Sequence, residues 1–153
     1  MKESFFNSEI WLPRPVAEIF SFFGNARNLE IITPRWLHFE ILTEGPIEIS
    51  EGTLIDYRIR LKGIPLRWQT RIDVWDPPRR FIDIQLKGPY RRWHHEHIFE
   101  PKDNGTLCSD RINYAVLGGA LVDRLFVRRD VERIFEFRRK KLLELFQRKV
   151  RTL

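Results

Sequence analysis

"TLIDYRIRLKGIPLRWQTRIDV", residues 53–74, decides the fold. Its first half sets Thr53, Ile55, Tyr57, Ile59 and Leu61 against Leu54, Asp56, Arg58 and Arg60. Its second half sets Leu66, Trp68, Thr70, Ile72 and Val74 against Arg67, Gln69, Arg71 and Asp73. A period of two sends the first set of each half to a buried face and the second to water, the pattern of strand rather than helix. Lys62-Gly63, with Pro65 close behind, is a turn that folds the second strand back on the first. An antiparallel hairpin follows.

Working outward, similar Pro/Gly turns recur at "DPPRR" (76–80), "KGPYR" (87–91) and "PKDNGT" (101–106), so the hairpin extends into a meander. On the N-terminal side, residues 2–12 read as a strand that meets "PRP" (13–15), where two prolines stop a ladder and open a helix. With that strand the pattern gives about seven. "VAEIFSFFGNARNLEIIT" (16–33) spaces Val16, Ile19, Phe20 and Phe23 helically, breaks at Gly24-Asn25, and resumes around Leu29 and Ile32. Two short helices result. After Gly118-Gly119 the chain is predicted helical to near its end, with Val127, Val131, Ile134, Phe135, Leu142, Leu145 and Phe146 as an apolar stripe.

The 153 residues suit one domain, 1–153, large enough to bury a core without staples. Twelve Phe and five Trp against one Met make that core bulky and aromatic. Cys108 has no partner for an internal disulfide, and neither a signal-peptide core nor a membrane-span run is seen, so the expected location is cytoplasmic. The net charge of +6 is local. Residues 121–153 hold eleven Lys+Arg against five acids, while the other sixteen bases and sixteen acids cancel. Such a helix is expected to be a solvated face, with docking to a partner or an anionic membrane as the further reading.

The element order, together with "NLEIITPRWLHFEI" (28–41), "GTLIDYRIRLKGIPLRW" (52–68), "PPRRFIDIQLKGPYRRWHHEHIFE" (77–100) and "IFEFRRKKL" (134–142), resembles the START-like or SRPBCC superfamily. Within it, the chain is most similar to small bacterial ligand-binding or cyclase/dehydrase-type members. The resemblance implies an α+β helix-grip fold: a curved antiparallel sheet of about seven strands around a long C-terminal helix, enclosing a cavity for an apolar ligand. It also implies the class of that ligand: lipid, polyketide, isoprenoid or quinone-like.

Strand alternation nominates the cavity-facing residues. Anchored on inward Phe99, the strand carries Trp93, His95 and His97 to the same face and turns His94 and Glu96 away. Cys108, Asp110, Ile112 and Tyr114 form the inward set of the next strand. On "RFIDIQLKG" two choices stay open. Hydrophobicity buries Ile82, Ile84 and Leu86, whereas the resemblance turns Asp83 and Gln85 inward. Arg138 interrupts the helical stripe and needs a buried partner, Asp110 or Asp83. The expected ligand-binding set is therefore Tyr57, Trp68, Asp83, Gln85, Trp93, His95, His97, Asp110, Tyr114 and Arg138.

The reading preferred for these residues is binding, with polar groups orienting a hydrophobic or amphipathic small molecule among aromatic walls. The enzymatic alternative is a polyketide cyclase/dehydrase-type reaction with His95 or His97 and Asp110 as acid–base pair. His-x-His with a neighbouring Asp is also a metal pattern, but this fold is not usually a metal protein, so neither metal nor cofactor is expected. Nucleic acid is excluded as a partner, because alternation separates Trp93 from Arg92 and His94 and removes a stacking platform. No "GxSxG" elbow marks a serine hydrolase, and Gly118-Gly119 lacks the spacing of a nucleotide loop.

Overall fold

The computed structural model describes residues 3–147. The basic residues Arg148, Lys149 and Arg151 lie outside the described residues. Strand β1 (Ser4–Leu12) leads through Pro15 into helix α1 (Val16–Phe23), and a 3-10 turn connects to α2 (Leu29–Ile32). Strands β2 (Glu40–Ile41), β3 (Leu54–Leu61), β4 (Ile64–Asp76), β5 (Arg80–Lys87), β6 (Arg92–Lys102) and β7 (Gly105–Ala115) follow. A last helical run comprises α3 (Gly119–Val122), a π-turn over Asp123–Val127, and α4 (Arg128–Phe146). None of the described helices is long and apolar enough to cross a membrane.

The strands form one antiparallel sheet in the order β1-β7-β6-β5-β4-β3-β2. Apart from β1, which returns to pair with β7, every strand lies beside its chain neighbour. Two tight turns fix the register. Lys62-Gly63 and Asp103-Asn104 have positive φ at both central positions (50° and 81°; 48° and 62°), matching the right-handed twist of the strands they join. Strand β2 is only two residues long, Glu40–Ile41, and pairs with Arg58 and Tyr57 of β3.

Three apolar clusters hold sheet and helices together. Phe20, Phe23, Phe81, Phe99, Leu142 and Phe146 belong to the largest, which ties α1 and the end of α4 to the sheet. Ile112, Tyr114, Val131 and Phe135 tie β7 to the start of α4. Ala26, Ile41 and Ile55 close the far edge. The buried positions of α4 are Val131, Phe135, Arg138, Leu142 and Phe146, a stripe at helical spacing.

Several faces differ from the sequence pattern. Leu145 was expected in the apolar stripe but is exposed, because it sits about a sixth of a turn from Leu142, on the side away from Phe146. On β4, a register shift between Ile72 and Val74 reverses alternation, so Trp75 packs against Phe20 (ring centroids 4.9 Å apart). On β5, Phe81 and Asp83 take the inner face, whereas Leu86 is exposed. The hydrophobic assignment of β5 holds for Ile82, which is buried, and fails for Leu86: Phe81 joins the core from the inner face, and Asp83 finds a histidine partner inside.

Candidate functional site

The three clusters do not quite meet. Between sheet and α4 they leave a cavity with about 170 Å³ open to the centre of a water-sized sphere. That is room for on the order of ten waters. Its walls are mainly apolar, with Ala26, Leu29, Leu37, Ile55, Ile59 and Leu61 towards one end. Tyr57, Trp68, Tyr90 and Trp93 form an aromatic wall. Tyr57 stacks on Trp68 at 5.8 Å, and Trp68 meets Tyr90 and Trp93 edge-on, each at 5.5 Å.

The polar end is built on three adjacent strands. β5 contributes Asp83, β6 contributes His95 and His97, and β7 contributes Asp110. Backbone register sets His95 opposite Asp83 and His97 opposite Asp110. The side chains cross instead. His95 Nε2 lies 2.7 Å from Asp110 Oδ1, and His97 Nε2 lies 2.5 Å from Asp83 Oδ2. The directly opposed contacts are longer: His95 Nδ1 to Asp83 at 3.8 Å and His97 Nδ1 to Asp110 at 3.5 Å.

Arg138 closes the cluster from α4. Its Nη2 donates to Asp110 Oδ1 and to His97 Nδ1, both at 3.4 Å, and its guanidinium lies against the rings of Phe23 and Phe135. Phe81 stacks on His97 at 4.0 Å from the other side.

Electrostatics assign protons to these contacts. Burial, then the His95 ring beside it, pushes His97 down to about 4, against the opposing pull of Asp83 and Asp110. His97 is thus neutral near pH 7. Burial works to raise both carboxyls but is outweighed, at Asp83 by His97, His95 and Arg138, and at Asp110 by Arg138 and both histidines. Both stay below the usual carboxylate range and ionised. The His97 Nε2–H then donates to Asp83, leaving Nδ1 to accept from Arg138. Both nitrogens of His97 are occupied by protein.

Of the ten residues nominated from sequence, Tyr57, Trp68, Asp83, Trp93, His95, His97 and Arg138 line the cavity. Asp110 stands behind the histidines and holds them. Gln85 does not reach the cavity: its amide donates to the Tyr90 carbonyl (2.7 Å) and accepts from the Tyr90 N–H (3.0 Å), bracing the turn at Gly88. Tyr114, nominated as a wall, is fully buried behind Trp93, its hydroxyl donating to Asp123 Oδ1 at 2.6 Å. That bond turns the phenol towards the helix start and away from the cavity.

Thr70 and Tyr90 also line the cavity and were not nominated. Thr70 carried a signal as the one hydroxyl on the apolar face of β4, and it pairs with the Tyr57 hydroxyl at 3.0 Å. Tyr90 sits in a Gly-Pro turn, where no periodicity speaks. Among the described residues, Trp68 Nε1 and Arg138 Nε are buried donors without a hydrogen-bond partner, both on residues that line the cavity.

The family model for polyketide cyclase/dehydrase and lipid transport matches residues 12–137. No curated protein matches the sequence. Among solved structures, the chain is similar to the Zhui aromatase/cyclase from Streptomyces sp. R1128, at 17% identity over 99% of this chain and 98% of that one, with a TM-score of 0.76. It is also similar to protein CV1439 from Chromobacterium violaceum, at 13% identity over 95% and 99%, TM-score 0.74. Major latex-like protein 151 from Panax ginseng matches at 11% identity over 94% and 97%, TM-score 0.70. At these identities the structural matches establish the helix-grip fold and nothing finer.

Proposed function

The chain belongs to the polyketide cyclase/dehydrase and lipid transport family, and from that premise we propose that it binds an amphipathic small molecule between its sheet and α4. The observation that carries this reading is the pair of buried donors left unpartnered among the described residues, Trp68 Nε1 and Arg138 Nε, on residues that line a mainly apolar cavity. A buried donor without an acceptor costs about 1–3 kcal/mol, and a ligand that brings the acceptor recovers it. The ligand is therefore apolar along most of its body and carries a carbonyl, carboxylate or phenolic oxygen at one end. Lipid, polyketide, isoprenoid and quinone-like compounds meet that description.

The test is titration with pairs of ligands that differ only in the oxygen, such as a long-chain ketone and its parent alkane, followed by tryptophan fluorescence. The oxygen-bearing member is expected to bind more tightly, and Trp68→Phe to erase most of that preference. Equal affinity within each pair would sink the proposal.

The crossed His–Asp pairs favour a second reading, a cyclase or dehydratase in which His95, held by Asp110, moves a proton next to a ligand carbonyl. His97 suits that role less, since both its nitrogens are engaged by Asp83 and Arg138. An enzyme loses turnover but keeps ligand affinity in His95→Gln. A carrier loses affinity or nothing.

A further inference from the structure

We infer that Asp83, His95 and His97 form a binding site for one divalent transition-metal ion of the borderline class, such as Zn²⁺, at the polar end of the cavity. The inference goes beyond the binding function above and stands or falls separately from it.

Three residues carry it. Asp83, His95 and His97 each offer one ligand atom, and the three atoms lie within 4.8 Å of one another; the distances from Asp83 single out its Oδ2, His95 Nδ1 and His97 Nε2, taken in that order. The first is 2.5 Å from the third and 3.8 Å from the second. Ligands on a first-row ion, each about 2.0–2.2 Å from it, sit roughly 3–3.5 Å apart. Ring and carboxylate shifts of about 1 Å therefore convert the hydrogen-bonded arrangement into a coordinating one. The proton between His97 Nε2 and Asp83 occupies the place of the ion, and metal binding shifts it to Nδ1 of the same ring.

The surroundings are those of a metal centre. A histidine ligand needs its remote nitrogen held by a carboxylate, which fixes the ring and raises its basicity. Asp110 Oδ1 does this for His95 Nε2 at 2.7 Å and lies 3.5 Å from His97 Nδ1, so one carboxylate serves both rings. With the ion on Nε2, His97 carries its proton on Nδ1 and points it at Asp110.

Charge argues the same way. Two carboxylates, Asp83 and Asp110, face one guanidinium, Arg138, and the surplus negative charge suits a divalent cation. Arg138 bonds to Asp110 and neutralises the carboxylate that does not ligate, leaving Asp83 for the ion. Two nitrogens and one oxygen are a donor set for Zn²⁺ or Fe²⁺ rather than Mg²⁺ or Ca²⁺. All three ligands come from one sheet, so the remaining coordination positions open towards the cavity that these residues line. A water or a ligand oxygen fills them.

The experiment uses the full chain, stripped by chelator dialysis, without organic ligand. Titration with ZnCl₂ in the calorimeter is expected to show one saturable equivalent. Co²⁺ is expected to give a visible d–d band. Asp83→Asn and His95→Gln should each weaken uptake by about a hundredfold or more, and Asp110→Asn by about 10–100-fold. His94→Gln, on the outer face of the same strand, should leave it unchanged.

No saturable uptake, or uptake that survives in both Asp83→Asn and His95→Gln, overturns the inference. Should those variants fail to fold, imidazole ¹⁵N resonances of the unmodified protein decide instead. Zn²⁺ must shift His95 and His97 while leaving His38 and His94 in place, and any other pattern overturns it. Either outcome leaves the ligand-pair titration of the binding function unaffected.

Discussion

His95 and His97 stack at 3.6 Å between ring centroids, yet each is held by the carboxylate that the backbone register sets opposite the other. The crossing binds three strands through side chains as well as through their ladders. It also makes the four residues one unit. Double-mutant cycles by urea denaturation should show this as a ranking. His97→Leu with Asp83→Asn, and His95→Leu with Asp110→Asn, are expected to couple by about 1–3 kcal/mol. The directly opposed combination of His97→Leu with Asp110→Asn should couple less. Equal coupling in all combinations would contradict the crossed arrangement.

Arg138 is the only cation in contact with this cluster among the described residues, and it is nine-tenths buried. Arg138→Leu leaves Asp110 and Asp83 buried without their counter-charge and is expected to destabilise the fold by about 3–5 kcal/mol. Lysine has no planar fork to reach Asp110 and His97 together, so Arg138→Lys should recover only part of that loss. Chemical denaturation measures both.

The shifted groups set a pH profile for the metal-free protein. His97 is lowered from 6.5 to about 4 in the fold, so the unfolded chain binds more protons between those values. Its contribution is complete above pH 6.5 and is lost as pH falls to 4. Asp83 and Asp110 are also lowered, by partners that outweigh burial, so their contributions begin to fail as pH falls towards 3.8 and below. Their acid losses therefore add. On the alkaline side, burial first and then the Asp110 charge push the Cys108 thiol up to about 12 from 9.0, so its stabilising contribution disappears as pH rises across that interval. The urea midpoint should be flat near pH 7–8 and fall on both sides.

Gly105 follows the Asp103-Asn104 turn where β7 begins beside the end of β1. A Cβ there would lie 2.4 Å from the Leu12 carbonyl oxygen and 2.7 Å from the Trp11 ring. The first is backbone and cannot yield by rotating a side chain. Gly105→Ala is expected to lower stability by about 1–3 kcal/mol, seen as a lower Tm with ligand affinity intact in the folded fraction.

Tyr114 supplies a control on the cavity boundary. Tyr114→Phe removes the bond to Asp123 and should cost about 1–2 kcal/mol. Affinity for the ligand pairs should stay as in the parent, because the hydroxyl points away from the cavity. A change in their relative binding would return Tyr114 to the wall.

Much of this was legible in sequence because period-two alternation survives wherever a strand has one wet face. Trp93, His95, His97 and Phe99 needed only Phe99 as an anchor, and Arg138 betrayed itself by standing in an apolar stripe. The signal failed where local geometry breaks the period, as at the β4 shift that turns Trp75 inward. It failed again where a polar side chain finds its partner across the sheet. Asp83 looks like an outer residue until His97 is placed beside it, and no pattern along one strand contains that relation. Gln85 and Tyr114 stay off the cavity wall for the converse reason: local or helical partners claim them first.

The position of Arg138 has a consequence during synthesis. Strands β5, β6 and β7 leave the ribosome before α4, and β7 can pair with β1 at once, since both have already been made. The nascent sheet then carries Asp83 and Asp110 with their histidines but no guanidinium, and its inner face lacks the cover of Val131, Phe135, Leu142 and Phe146. Charge compensation and apolar closure arrive together, only once α4 has been made. Until that helix emerges the chain is a half-made cup, and this is the interval in which a chaperone has most to hold.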